Sequence, residues 1–258
     1  MNKDTLRQIV NVVAVVLTIA VNSLASTTLL NGKTTGQVSD GIPALFTPAG
    51  YVFAIWGVIY LGLLAFAVYQ ALPSQRENPR LRGIGYIFAL SCLANMVWLV
   101  FWQYEILPVT IVLMLVLLGS LIAIYLRLGT GREPAVLAER LAVRLPFSIY
   151  LGWITVATIA NAAALLYRLG WTAGGLGISG EAWTVIMLVA AVAIAAAMSL
   201  TRGDVAYLLV LVWAFVGIAV KQTGAPTVVI AAWAAAAAVA VLVVVGVVLR
   251  GRRGVQRA

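Results

Sequence analysis

The chain has 258 residues, 63% of them hydrophobic and 10% charged, with a mean hydropathy of +1.05; soluble domains carry about a quarter charged residues, so composition excludes an ordinary soluble fold. The net charge of +9 is spread between apolar runs and forms no stripe, which removes nucleic acid as a partner. The lone cysteine, Cys92, and the lack of histidine exclude an intrachain disulfide, histidine acid–base chemistry, histidine metal ligation and a histidine-ligated haem.

Eight apolar runs follow in chain order, at 9–30, 51–71, 84–102, 106–126, 145–166, 183–200, 205–220 and 228–249. Most approach the ~20 residues that a helix needs to cross ~30 Å of hydrocarbon. Backbone groups cannot stay unpaired in lipid, so each run is predicted to be helical. The apolar residues are continuous, which argues against the alternation of a β-barrel. The run 205–220 is the shortest and ends against Lys221. The first run also has features of a cleavable signal peptide: Lys3 and Arg7 precede it, and Ser23-Leu24-Ala25 resembles a cleavage site. It is expected to be retained as a span.

The basic residues give a second, independent pattern. The amino terminus, the even-numbered connections and the carboxyl tail hold 14 of the 17, from Lys3 and Arg7 through Arg76, Arg80, Arg82, Arg127, Arg132, Arg140, Arg144 and Arg202 to Arg250, Arg252, Arg253 and Arg257. The odd-numbered connections hold only Lys33, Arg168 and Lys221. The positive-inside rule then predicts an even number of spans with both termini cytoplasmic. Residues 103–107 form a very short connection, so the third and fourth spans must be antiparallel neighbours. Residues 31–50 form a long non-cytoplasmic connection rich in Gly, Thr, Pro and Ser, of the kind that serves as a lid, a binding loop or a plain connector.

No Asp, Glu, Lys or Arg lies well inside a span. Ion pumps, proton-coupled carriers and voltage sensors need intramembrane charge, and those classes are disfavoured. The eight acidic residues fall in or beside connections and are expected to be solvated charges and helix caps. No phosphate-binding loop, metal-ligand cluster or nucleophile–base pair occurs, so no catalytic residue, no metal and no obligatory cofactor are expected, and the chain does not read as an enzyme.

What remains inside the spans is aromatic and neutral polar. Trp171 and Trp183 sit at span ends and read as interfacial anchors, whereas Trp153 lies well within its run. Buried Asn and Thr commonly bridge helices. Several tryptophans beside amides and hydroxyls also make an apolar pocket with a few orienting groups, the pattern of a small-molecule site.

Three segments carry a resemblance. The fifth run reads Trp153-Ile-Thr-Val-Ala-Thr158-Ile-Ala-Asn161, preceded by Leu145-Pro146; the third reads Asn95-Met-Val-Trp98-Leu-Val-Phe-Trp102; the second reads Pro48-Ala-Gly-Tyr51-Val-Phe53, then Trp56-Gly-Val-Ile-Tyr60. In this order, with the long first loop and the short third connection, they resemble the TspO/MBR family of tryptophan-rich sensory proteins (translocator proteins). Pro146 stands three residues further from its Trp than in the family, Trp102 replaces a Phe, Tyr51 replaces a Trp, and the Phe53–Trp56 gap is one residue short. The motifs cover residues 1–167. Residues 168–258 carry none of them.

The resemblance implies an all-α integral membrane protein, a five-helix bundle at 1–167 followed by a three-helix extension at 168–258 with a basic cytoplasmic tail, eight helices in total, in the bacterial cytoplasmic (inner) membrane. It implies a membrane sensor or binding protein for a tetrapyrrole such as a porphyrin, or another flat apolar ligand. The matching positions are Trp56, Tyr60, Asn95, Trp98, Trp102, Trp153, Ala157, Thr158 and Asn161. Porphyrin photodegradation, proposed for the family, has no acid–base residue here to support it. Two other readings use the same residues: an accessory or interaction subunit whose aromatics only pack, in a homodimer or membrane complex, and a transporter of a neutral apolar molecule. The lipid bilayer is the one partner common to all three.

Overall fold

In the computed structural model, residues 2–171 and 177–255 are described, and the side chains of 251–255 are not; of the basic tail, Arg252, Arg253 and Arg257 therefore lie outside the described side chains. Helices dominate: α1 (Lys3–Ala25), α2 (Thr35–Asp40), α3 (Ile55–Ala71, entered through a 3-10 turn at Gly50–Ala54), α4 (Pro79–Ile84), α5 (Ile87–Gln103), α6 (Leu107–Arg127), α7 (Leu137–Glu139), α8 (Leu145–Arg168), α9 (Gly180–Arg202), α10 (Val205–Lys221) and α11 (Pro226–Val255). The chain is an integral, all-helical membrane protein. Six helical stretches are long and apolar enough to cross a bilayer. The other two apolar helices, α5 and α10, have 17 residues each, about 25 Å at 1.5 Å per residue, somewhat under the hydrocarbon thickness. Leu61, Val189, Ile230 and Val244 are among the side chains more than half exposed on these helices, a surface that lipid solvates and water does not.

Local chemistry sets the boundaries. Asn2, Asn78, Ser179 and Asp204 each accept a backbone N–H in the first turn of α1, α4, α9 and α10, which satisfies donors that the helix itself cannot. Thr34 and Gln37 close a reciprocal capping box on α2. Two expected boundaries shift. The run predicted to open at 84 is broken by Gly85 and Tyr86 before α5 begins. The fifth span, predicted to open at 145, is already helical at Leu137, because a π-helical turn at Arg140–Arg144 joins α7 to α8. Pro146 has no N–H to give to the preceding turn, and a wide turn just before it accommodates that loss.

The helices group into two compact units, Met1–Gly41 with Ala54–Ile154, and Ile42–Phe53 with Thr155–Ala258. The division differs from a cut at 167/168: the carboxyl half of α8 and the segment 42–53 go with the last three helices. In unit 1, α1 packs on α3 and α5, and α5 on α6. Its core holds a Phe66–Phe88–Phe147 cluster with edge-on rings 4.8 to 5.7 Å apart. In unit 2, α11 packs on both α9 and α10.

Bonds between connections report the alternation of the helices. In unit 1, Arg7 donates to the Arg76 carbonyl and Arg82 to Asp4, which joins the amino terminus to the second connection. Arg80 pairs with Glu133 and Glu139 and joins the second to the fourth. At the other end, Asn31 donates to the Gln103 carbonyl and Lys33 pairs with Glu105, first connection to third. In unit 2, Gln222 donates to the Thr47 carbonyl, seventh to first, and Arg250 to the Gly203 carbonyl, tail to sixth. Each of these bonds joins odd to odd or even to even, as helices running up and down in turn require.

Candidate functional site

Unit 1 gathers six of the nine residues expected at the site. Gly62 on α3 faces Pro146 on α8, where an added Cβ would lie 2.9 Å from the Pro146 Cβ. Only glycine permits this approach, and along the two helices from it stand their aromatics. Trp56 stacks on Tyr60, one turn away, at 5.5 Å and 20°. The Trp56 ring meets Tyr150 edge-on at 6.0 Å and Trp153 at 6.2 Å. Trp153 is 3% exposed, as its mid-span position predicts, and is no interfacial anchor.

On α5, Asn95, Trp98 and Trp102 recur at spacings of three and four and share a face. All three are buried, at 0%, 6% and 7% exposure. Trp98 and Trp102 stack at 5.5 Å and 22°. Trp102 Nε1 donates to the Thr35 carbonyl at 3.4 Å, and Gln103 Nε2 to the Ala25 carbonyl at 2.9 Å, so α2 and the end of α1 are tied to the end of α5. Asn95 Oδ1 accepts from Asn22 Nδ2 of α1 at 2.8 Å. The Trp98 indole N–H is buried without a protein acceptor, and the Asn95 amide lies within hydrogen-bonding reach of the Tyr150 side chain of α8. A buried donor left unpaired costs about 1–3 kcal/mol, so the Trp98 indole N–H on this face is an expense that packing alone does not explain.

Ala157, Thr158 and Asn161 lie in unit 2, on the continuation of α8. Asn161 is 1% exposed; Ala157 and Thr158 are half-buried. One turn before them, Thr155 accepts a hydrogen bond from the Tyr207 hydroxyl of α10 at 3.0 Å. Unit 2 also has a cleft of ≈ 340 Å³ among Pro43–Leu45, Ala163 and Tyr167 of α8, and the first turns of α9. Trp183 lines it, with its indole N–H buried and unpaired, while Trp171 is well exposed. None of the nine expected residues lines this cleft.

The segment 42–53 is seated on α10. The Ala49 N–H bonds the Gly217 carbonyl at 3.0 Å, Trp213 Nε1 bonds the Val52 carbonyl at 3.1 Å, and Tyr51 meets Trp213 edge-on. Gly217 has no room for a side chain, since a Cβ there would run into Val52 and Pro48. The second half of the long loop is therefore a held strap and not a loose connector.

One acidic residue departs from its expectation. Glu139 is 5% exposed and receives Arg80 at 2.9 Å and Arg144 at 2.8 Å. Burial opposes the charge on Arg80, but Glu133 and Glu139 more than offset it and raise the guanidinium above its ordinary pKa. This is a buried ion network, where solvated loop charges were expected. Asn22, Thr35 and Tyr207 had no place among the expected residues. Asn22 is an amide inside an apolar run and carried a readable signal; Thr35 acts through its carbonyl and carried none.

Among the described residues, no group of acidic, Cys or His side chains is arranged to hold a metal. A family model described as TSPO-like protein matches residues 8–245. The match takes in the last three helices, which the sequence motifs did not reach. No curated protein and no solved structure matches the chain.

Proposed function

We propose, from the premise that the chain belongs to the TSPO-like protein family, that unit 1 binds a flat apolar molecule of the tetrapyrrole kind. The family suggests a membrane binding or sensor protein; the ligand class is the further step. The observation that carries it is the α5 face, where the buried Trp98 indole N–H has no protein acceptor beside a stacked tryptophan pair. An aromatic macrocycle with carbonyl or carboxylate edges supplies both a stacking face and acceptors. With no charged side chain on this face, binding rests on packing and neutral hydrogen bonds, and no catalytic step is proposed. Residues 1–167 act as the ligand-binding part and 168–258 as an extension. Both termini are cytoplasmic, and the membrane is the bacterial inner one. Reporter fusions after residue 258 and within 31–50 should fall on opposite sides; the same side for both rejects that topology.

The direct test is porphyrin titration of the detergent-solubilised protein, followed by tryptophan fluorescence. Wild type should quench saturably. Trp153→Ala removes one ring, and about 1 kcal/mol of aromatic contact corresponds to roughly fivefold weaker binding. Trp171→Ala, at an exposed position, should bind as wild type. The mutual stacking of Trp56 on Tyr60 and Trp98 on Trp102 favours a second reading, an accessory subunit whose rings pack on one another. No quenching of wild type, together with loss of fold in Trp153→Ala, selects that reading.

A further inference from the structure

The even-numbered end of unit 1 has a charge arrangement that ligand binding in the helix core does not use. Asp4, in the first turn of α1, is shared by two guanidiniums: Arg7 Nη1 at 3.0 Å, and Arg82 through Nε at 3.0 Å and Nη2 at 2.6 Å. Arg7 Nη2 also donates to the Arg76 carbonyl at 2.7 Å, which fixes the Arg76 backbone beside the cluster. The Arg76 guanidinium has no ion pair among the described residues, and the only other carboxylate at hand, Glu77, is exposed and stands 3.6 Å from Arg82. Arg7 is 5% exposed. The Nε–H groups of both Arg7 and Arg76 are buried and lack a partner. A guanidinium whose donors are withdrawn from water needs an anion to receive them, and the protein offers this group of arginines too few carboxylates.

We infer that the phosphate of an anionic membrane lipid binds here, held by Arg7 and Arg76 with Arg82 at its edge. A lipid fits better than a free phosphate because the cluster sits on the first turns of a membrane-crossing helix. Basic clusters at the ends of membrane helices recognise acidic lipids. The inference is independent of the ligand proposed for the α5 face.

The test compares phosphatidylglycerol, phosphatidylcholine and inorganic phosphate added to the purified full chain in detergent, read by melting temperature and by lipid retained in native mass spectrometry. Phosphatidylglycerol should stabilise and be retained; phosphatidylcholine, and inorganic phosphate at equal concentration, should not. Arg76→Gln should weaken phosphatidylglycerol binding about fivefold, the effect of one cation near an acidic lipid. Among the described residues the Arg76 side chain makes no ion pair and its Nε–H has no partner, so this variant should keep the wild-type melting temperature without lipid. Arg132→Gln, an exposed arginine at the same end, is the control and should bind as wild type. Equal responses to the two lipids overturn the inference. So does stabilisation by inorganic phosphate alone, which makes the site one for free anions, or an equal loss in Arg132→Gln, which makes the attraction diffuse.

Discussion

Unit 1 and unit 2 fill the space between their helices with different side chains. In unit 1 the fillers are large: the Phe66–Phe88–Phe147 cluster, the stacked tryptophans of α5, and the buried amides Asn22, Gln70, Asn95 and Gln103. In unit 2 the buried positions of α9 and α11 are mostly small, among them Ala191, Ala195, Ser199, Ala232, Ala235 and Ala236, while α10 between its small residues buries Tyr207, Leu208, Leu211 and Phe215. Ser199 of α9 donates to the Leu242 carbonyl of α11 at 2.6 Å, and Gly246 lies one turn further on. Small residues let helix backbones approach and leave little between them. Aromatic and amide side chains hold backbones apart and bring polar ends that need partners. Unit 1 carries the unpaired Trp98 donor beside a stacked aromatic pair, and unit 2 provides the seat for a loop and the cleft at Trp183.

Three substitutions probe this contrast. Glu139→Ala should have the largest effect, because it leaves Arg144, 6% exposed, without its carboxylate; breaking a buried pair costs about 3–5 kcal/mol. Denaturant unfolding in detergent measures it, and a loss under ~1 kcal/mol would mean that solvent reaches the pair. Gly217→Leu should come next, at about 1–3 kcal/mol, the usual cost of overpacking. Its signature is hydrogen exchange: amides of 42–53 should exchange faster while those of α5 do not change. Unaltered protection of 42–53 would refute the strap. Ser199→Ala should be smallest, about 0.6 kcal/mol for an interhelical hydrogen bond in a membrane protein. A cost as large as that of Glu139→Ala would erase the distinction between the two modes of packing.

Much of the architecture was legible in the order of residues. Hydropathy located all eight apolar helices, and the alternation of basic residues anticipated which connections bond to one another. The burial of Asn95, Trp98, Trp153 and Asn161 follows from their positions inside apolar runs. Less accessible was the π-helical entry to α8, because a pattern of apolar residues records where a helix lies in lipid and not where its first turn forms in water. Glu139 looked like a surface charge because its partners, Arg80 and Arg144, are basic residues that the topology rule also assigns to a connection. The grouping of 42–53 with α10 had no local signal at all, since it depends on Gly217 being small at one point of a distant helix. Of the expected site, the tryptophan and asparagine faces could be read from spacing; the tie from Trp102 to the Thr35 carbonyl could not.

The seating of 42–53 has a consequence for biosynthesis. Its side-chain-to-backbone bonds with α10 join residues 161 and 175 positions apart. At roughly 5–20 residues per second, the strap is made on the order of ten seconds or more before its seat. During that interval α1 and α3 are already available for insertion while 42–53, between them, lacks its seat. Seating of 42–53 is thus one of the last events of assembly, and a chain truncated before α10 leaves that half of the long loop untethered.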